Sequence, residues 1–375
     1  MKINILQGAF FPVPPIKGGA IEAAWFLLGQ EFAKQGHKVT HMSCIHTDLR
    51  NTEVLNGVEY KRVRGANAVK NPYLLKVLEL PYVLRARKLM DEADILVTHT
   101  FWAPLLFPKH KFGKQYVHVG RHPKGQLKLY RKASRFQVPT TAIADICKEQ
   151  IPSQASKVKT LPYPLTWNPL PKLDFDRKEK VILYVGRIHP EKGIEPLVEA
   201  WYKLPCEVIG DWTLRLIGPW KESQGGGGRK FYDSLKRNIE LSKNKVEFLD
   251  PIFDRDSLKK EMEKAKLFIY PSQAKEGETF GLAVLEAMSC GCVPIVSTLP
   301  CFMDFITFGT EGFSLKQNSK ENLVIIIREK LLQILTDKKL NISKMADAAL
   351  TRAKKYEVGK VSEEYLADFC MLIKK

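Results

Sequence analysis

One stretch of the sequence restricts the possible folds more than any other. Leu267-Phe268-Ile269-Tyr270 is an apolar run with the length and composition of a buried strand. It passes into a polar loop over residues 271–279. A segment rich in Leu, Ala, Glu and Met follows, and this composition predicts a helix over roughly residues 280–289. Gly291 is placed to end that helix, and Val293-Pro294-Ile295-Val296 reads as the next strand. Strand, loop, helix and strand in this order build a parallel α/β sheet, and they put the loop at the carboxyl edge, where ligands bind.

The chemistry of that loop can be read from its residues. A helix starting at Phe280-Gly281-Leu282 presents free backbone N–H groups and the positive end of its dipole, which suits phosphate. Gly281 has no side chain, so a ligand can come close to the backbone. Glu278 stands before the helix and Glu286 about two turns into it. A carboxylate there accepts two hydroxyl hydrogen bonds from a ribose or a hexose, or else Glu278 caps the helix and Glu286 faces water.

The same alternation recurs along the chain. Residues 2–10 read as a strand, followed by a loop ending in Gly18-Gly19. A helix is expected over 20–35, with Ala24, Leu27, Leu28 and Phe32 at helical spacing, and Glu22 lies in its first turn. Residues 181–185 read as a strand, after which Gly186-Arg187-Ile188-His189-Pro190-Glu191-Lys192-Gly193 leads into a helix. Residues 116–119 form a strand containing His118, and the basic loop beyond it holds Arg121 and Lys124. Residues 72–92 place leucines beside Lys76, Arg85, Arg87 and Lys88, the pattern of either a core helix bent at Pro81 or a helix lying on a membrane surface. The glycine run at 225–228 lacks the order of a nucleotide-binding P-loop and reads as a flexible loop. Asp174 with Asp176, and Asp254 with Asp256, have a metal–nucleotide spacing, but one pair falls in a linker and the other opens a helix.

The chain has 375 residues, 45% of them hydrophobic and 27% charged, which is enough for two soluble domains of ordinary size. No apolar run approaches the roughly 18 residues that span a bilayer. The first residues read as a strand and a loop, not as a signal peptide. The seven cysteines are scattered and odd in number, so no disulfide framework is expected and a reducing, cytoplasmic setting is. Cys290, Cys292 and Cys301 have no matching His, so no metal is expected. The net charge of +18 is uneven: residues 1–170 carry 25 Lys and Arg against 11 Asp and Glu, and the remainder carries 34 against 30. This excess points to an anionic partner of the first half, such as lipid, glycan or nucleic acid.

The stretch PSQAKEGETFGLAVLEAMSCGCVPIVS, with Glu278 and Glu286 separated by seven residues, closely resembles the signature of retaining glycosyltransferases of the GT-B fold, glycosyltransferase family 4 (glycosyl transferases group 1). Pro-Pro-x-x-Gly-Gly around Gly18 and Gly19, and Gly-Arg-x-x-x-x-Lys-Gly around Arg187 and Lys192, resemble two further elements of that family. The resemblance implies an α/β fold of two Rossmann-like domains facing each other across a cleft. The expected division is an acceptor-binding domain at 1–168, a nucleotide-sugar-binding domain at 169–355, and a last helix at 356–375 packing back toward the first domain. It implies that Glu278 contacts the donor sugar and Glu286 the ribose, and that Phe280, Gly281 and Leu282 offer amides to sugar and diphosphate. Arg187 and Lys192 would neutralise the diphosphate, Gly18 and Gly19 would close over it, and His118 would lie near the reacting carbon unless it is simply packed in its strand. The family works without a metal or other cofactor. Asp145, and Leu161-Pro162-Tyr163-Pro164, depart from the family pattern, so contacts there are not carried over.

The expected reaction is transfer of a sugar, with retention, from a UDP- or GDP-sugar to a hydroxyl of an acceptor. An anionic or lipid-linked glycan, met by Arg121 and Lys124, is the expected acceptor, with peripheral contact to an anionic membrane. Alternatives from the same fold are a sugar-nucleotide epimerase, a glycan phosphorylase, or a transferase acting on a small soluble acceptor. The pI of 9.4 prompts a nucleic-acid-binding reading, but the sequence carries no helix-turn-helix, finger or aromatic–basic sheet signature, and no nucleic-acid partner is expected.

Overall fold

The computed structural model describes residues 1–67, 69, 71–240, 244–274, 276–316 and 322–374. The chain forms two units, Met1–Thr166 with Tyr356–Lys375, and Trp167–Lys355.

Among the described residues the sheet of the first unit has eight strands: β1 (Lys2–Leu6), β2 (Lys38–Cys44), β3 (Thr52–Leu55), β4 (Val58–Val63), β5 (Ile95–Thr98), β6 (Lys114–His118), β7 (Arg135–Val138) and β8 (Val158–Thr160). Their spatial order is β3-β4-β2-β1-β5-β6-β7-β8, and only β3 and β4 pair antiparallel. The strands flanking β1 are buried along nearly their whole length: β5 reads as a mostly apolar run, while β2 also buries the polar Thr40, His41 and Ser43. The β3–β4 hairpin turns at Asn56 (φ 49°) and Gly57 (φ 79°), the residue pair that a tight hairpin turn favours.

Two helices matter for the site in this unit. Helix α1 (Ala20–Lys34) buries Ala24, Trp25, Leu28 and Phe32 against the sheet. Helix α2 (Pro72–Leu89) continues as one helix with Pro81 inside it and buries Glu79, Tyr82, Val83 and Ala86. Its opposite face leaves Tyr73, Val77 and Leu84 exposed, so the helix has a core face and a second, apolar outer face. The closing helix, Val358–Ile373, completes the core of this unit: Phe369 packs edge-on against Phe32 and Tyr116, and Asp368 receives Arg135 Nη2 at 2.6 Å.

The described residues of the second unit form a six-stranded, wholly parallel sheet of β9 (Glu179–Val185), β10 (Thr213–Ile217), β11 (Val246–Leu249), β12 (Ala265–Tyr270), β13 (Val293–Ser297) and β14 (Phe313–Leu315). The order β11-β10-β9-β12-β13-β14 is that of a dinucleotide-binding fold, with β9 at the point where the order reverses. Helices α3 (Ile194–Tyr202), α4 (Arg229–Glu240), α5 (Arg255–Lys264) and α6 (Leu282–Ser289) connect the strands. Helix α6 begins at Leu282, two positions later than expected, because Gly281 takes a left-handed conformation (φ 86°, ψ 47°) and serves as its N-cap.

Candidate functional site

The reversal of strand order explains why residues far apart in sequence meet in the second unit. The loops leaving β9 and β12 diverge from adjacent strands at the carboxyl edge of the sheet. They are locked together by Gln273 N–H donating to the Glu191 carbonyl at 2.8 Å. Gly193 (φ +70°) completes the lock, since a Cβ there would collide with the Pro271 carbonyl. The result brings the Lys192 ammonium to 2.8 Å from Glu278 Oε2. Both side chains are close to buried, and the ammonium also lies 5.7 Å from the Tyr270 ring centre. Tyr270 stacks on Tyr184 at 5.6 Å, and the Tyr184 hydroxyl donates to the Arg187 carbonyl at 2.9 Å, which makes a rigid floor under the loop.

Arg187 comes to the same edge. Its Nη2 donates to Glu191 Oε1 at 2.6 Å and its Nη1 to the Gly225 carbonyl at 2.8 Å. Helix α6 opens beside Glu278 with no side-chain cap, so its first amides carry the anion-binding potential of a helix start. Gly281 is required there on two counts: its φ is positive, and any Cβ would collide with the Phe302 ring. Phe280 is buried against Phe305.

Glu286 is 3% exposed and therefore does not face open water. Its Oε1 accepts from Arg255 Nη2, and the Arg255 guanidinium lies 4.7 Å from the Trp167 ring centre. Trp167 is fixed in turn by its indole N–H, which donates to Ser289 Oγ at 2.9 Å. Arg255 and Trp167 are absent from the sequence reading, which noticed only the acidic neighbours of Arg255. Asp254 caps α5 by accepting from Ser257 N–H at 2.8 Å, a structural role with no metal in it. Among the described residues no group of three or more His, Cys, Asp or Glu side chains is arranged to hold a metal ion. Burial pushes the Cys290, Cys292 and Cys301 thiols up, away from the thiolate form a metal needs.

The glycine run at 225–228 is a correction to the sequence reading. It is not a flexible loop: Gly226 N–H donates to the Lys221 carbonyl at 2.9 Å, Gly227 N–H to Ile188 at 2.8 Å and Gly228 N–H to Trp220 at 2.9 Å. Glycine is there for close packing, because a Cβ at Gly226 would collide with the Trp220 backbone.

In the first unit, the loop after β1 ends in Gly18 (φ 74°) and Gly19 (φ 109°) at the start of α1. The Glu22 carboxylate folds back into the space beside Gly19. Burial raises the pKa of Glu22, opposed by its own backbone N–H, Gln7 and the Arg121 cation. His118 ends β6 with both ring nitrogens engaged, Nδ1 with Gln137 Oε1 and Nε2 with the Tyr163 hydroxyl at 2.9 Å. Burial lowers its pKa to about 4, so the ring is neutral at pH 7. Gly120 closes over it, since a Cβ there would lie 2.6 Å from Ile21 Cδ1 and 2.8 Å from the Tyr163 hydroxyl. The geometry therefore matches that of a packed strand histidine, held by a tyrosine from the segment that departs from the family pattern.

Arg121 and Lys124 are exposed in the loop beyond β6. The Arg121 charge also reaches Glu79, whose carboxylate accepts from Phe101 N–H at 2.7 Å. Burial outweighs these partners and lifts Glu79 to about 7. Glu79 was legible in the sequence only as one acid in a basic, leucine-rich segment.

The chain resembles known proteins at every level compared. Residues 167–352 match the family described as glycosyl transferases group 1. An uncharacterized glycosyltransferase of Methanocaldococcus jannaschii is 26% identical over 354 residues, covering 83% of this chain and 84% of its own. O-antigen chain mannosyltransferase B of Escherichia coli is 35% identical over 118 residues, 30% of this chain and 27% of its own. A crystal structure of the Anabaena protein HepE in complex with UDP and glucose superposes with a TM-score of 0.72 at 17% identity, covering 99% of each chain. The chain is a glycosyltransferase of the GT-B fold, and its second unit belongs to the glycosyl transferases group 1.

Proposed function

We propose that the protein is a retaining family 4 enzyme that moves a sugar from a UDP- or GDP-sugar to a hydroxyl of an anionic or lipid-linked glycan, without a metal. The observation that carries this reading is the Lys192–Glu278 pair, with Arg187 beside it on the same sheet edge. Arg187, Lys192 and the first amides of α6 supply positive potential for a diphosphate. Glu286 accepts from the ribose hydroxyls and Glu278 from the sugar. In the first unit, Gly18 and Gly19 are assigned to the diphosphate, and His118 to shaping the wall near the sugar.

In the proposed step the acceptor oxygen bonds to the anomeric carbon on the face the diphosphate leaves. The carbon–oxygen bond to the diphosphate breaks, the nucleoside diphosphate departs with the electron pair, and the acceptor proton passes to a departing phosphate oxygen. Stabilising the charge that grows on that leaving group is the main contribution of the cations. The Anabaena structure, solved with UDP and glucose, supports the donor class, and the Escherichia coli O-antigen mannosyltransferase supports a surface-glycan acceptor.

The acceptor reading also rests on charge. From residue 95 to residue 144 there are nine Lys and Arg and no Asp or Glu, and the outer face of α2 adds exposed Tyr73, Val77 and Leu84. This combination suits peripheral contact with an anionic membrane on its cytoplasmic side. No helix among the described residues is long and apolar enough to cross a membrane.

A thermal-shift screen of UDP, GDP and ADP, each with its sugars, tests the donor assignment, because binding to the native state raises the melting temperature. Product analysis then separates transfer from its rivals: an epimerase turns over without acceptor, and a phosphorylase requires inorganic phosphate. Flotation with anionic vesicles at low salt tests the membrane contact, and a protein that stays at the bottom of the gradient counts against it.

A further inference from the structure

We infer that Glu191 and the Gly225 carbonyl are positioning groups that clamp the Arg187 guanidinium so that its remaining donors face the diphosphate. The inference rests on the donor assignment above and adds a role for the glycine run, which that assignment leaves unexplained.

A guanidinium has five N–H donors in one plane. Two are taken here, one on Nη1 by the Gly225 carbonyl at 2.8 Å and one on Nη2 by Glu191 Oε1 at 2.6 Å. Among the described residues these two bonds fix the plane from two directions and leave Nε–H and one N–H on each Nη for a ligand. The Arg187 side chain is 42% exposed, so packing alone does not immobilise it. Without the two acceptors it would have to be ordered by the ligand itself, at a cost in affinity.

The loop is built for this contact. Gly225 (φ +80°) follows the short helical turn Glu222–Gln224, and a Cβ on it would lie 3.1 Å from Arg187 Cδ. The Gly227 N–H bond to the Ile188 carbonyl ties the run to the strand end that carries Arg187. Behind it, the Trp220 ring stacks on Tyr232 of α4 at 4.8 Å with an interplanar angle of 11°. Four consecutive glycines here are a means of close approach between two backbones. Glu191 lies in the short helical turn Pro190–Lys192 that follows extended His189, and from there its carboxylate reaches back to Arg187, four residues earlier.

The test is calorimetric titration of the full chain with UDP and with uridine, or with GDP and guanosine if wild type selects that pair. The variants are Gly225→Ala, Glu191→Ala and Glu191→Gln, each made alone and in an Arg187→Ala background. The clamp predicts that Gly225→Ala and Glu191→Ala weaken the diphosphate about tenfold while leaving the nucleoside unchanged. Glu191→Gln keeps an acceptor oxygen and retains most of the affinity. In the Arg187→Ala background the Gly225 and Glu191 effects vanish, which a purely structural role of these residues would not produce. Tighter diphosphate binding by Glu191→Ala would overturn the inference, because it would make the carboxylate a competitor of the phosphate. Parallel loss of nucleoside affinity, unchanged affinity for both ligands, or effects that persist without Arg187 would overturn it as well. Wild type that binds neither ligand removes the donor assignment and the clamp together, whereas wild type that binds both with unsplit variants removes only the clamp.

Discussion

The Lys192 ammonium sits 2.8 Å from the Glu278 carboxylate, and the two side chains are only 5% and 11% exposed. Each is the principal counter-charge of the other in a space that water barely reaches, yet they come from loops leaving different strands. The pair therefore couples the stability of the second unit to its chemistry.

Removing one partner leaves the other buried without its counter-charge. Lys192→Ala is expected to destabilise the protein by about 3 kcal/mol and to lower turnover by at least about a hundredfold. The double change Lys192→Ala, Glu278→Ala should recover part of the stability and none of the turnover. Denaturant melts and initial rates on the three variants check this. A double variant as unstable as Lys192→Ala, or Lys192→Ala with wild-type turnover, would contradict the assignment.

Gly281 is the backbone hinge of the α6 start. Alanine there must adopt φ 86° and push against Phe302. The conformational strain alone is about 1–2 kcal/mol, and the collision adds to it. Gly281→Ala should therefore lower the melting temperature clearly. Adding Phe302→Leu should return the collision part and not the strain. Equal melting temperatures for wild type and Gly281→Ala would contradict the cap geometry.

His118 gives a pH signature. Burial depresses its pKa from 6.5 to about 4. Between those values the unfolded chain binds a proton that the native state refuses, so stability is full above pH 6.5 and falls as pH drops toward 4. The whole interval is worth up to about 3 kcal/mol. His118→Gln removes this contribution, so the variant should gain on wild type as pH falls. Burial depresses His41 and His99 in the same direction, so some acid sensitivity will remain in the variant. Denaturant midpoints at pH 7, 5.5 and 4.5 measure the difference, and curves that run parallel would place the imidazole in a more polar setting than Gln137 and Tyr163 provide.

The basic loop of the first unit is assigned to the acceptor. Arg121→Ala with Lys124→Ala should raise the acceptor KM several-fold and leave the donor KM unchanged. Both side chains are exposed, but the Arg121 charge also acts on the buried Glu22 and Glu79, so a melt of the variant accompanies the kinetics. An unchanged acceptor KM would remove the loop from the acceptor site.

Much of this was legible in the sequence because local signals and the fold agree. The β12–α6–β13 unit shows as an apolar run, a helix former and a glycine stop in succession. Asn56-Gly57 is an equally good hairpin signal, but the short, largely exposed β3 before it carries no apolar run to mark it as a strand. The meeting of Lys192 with Glu278 was implied by resemblance alone, since only the strand order places β9 beside β12. The glycine run at 225–228 misled because composition suggests freedom, whereas Trp220, Ile188 and Phe231 impose contact. For α2 the burial pattern bears out the core reading: Glu79, Tyr82, Val83 and Ala86 enter the core, while Tyr73, Val77 and Leu84 are exposed. The Arg255–Trp167 support of Glu286 had no local signal, because its members are separated by most of the second unit.

The most direct test is a crystal structure of the protein with its UDP- or GDP-sugar bound. The expected density places the diphosphate on Arg187, Lys192 and the first amides of α6, the ribose on Glu286 and the sugar on Glu278. A donor bound elsewhere, with those side chains keeping only their present partners, would contradict the account.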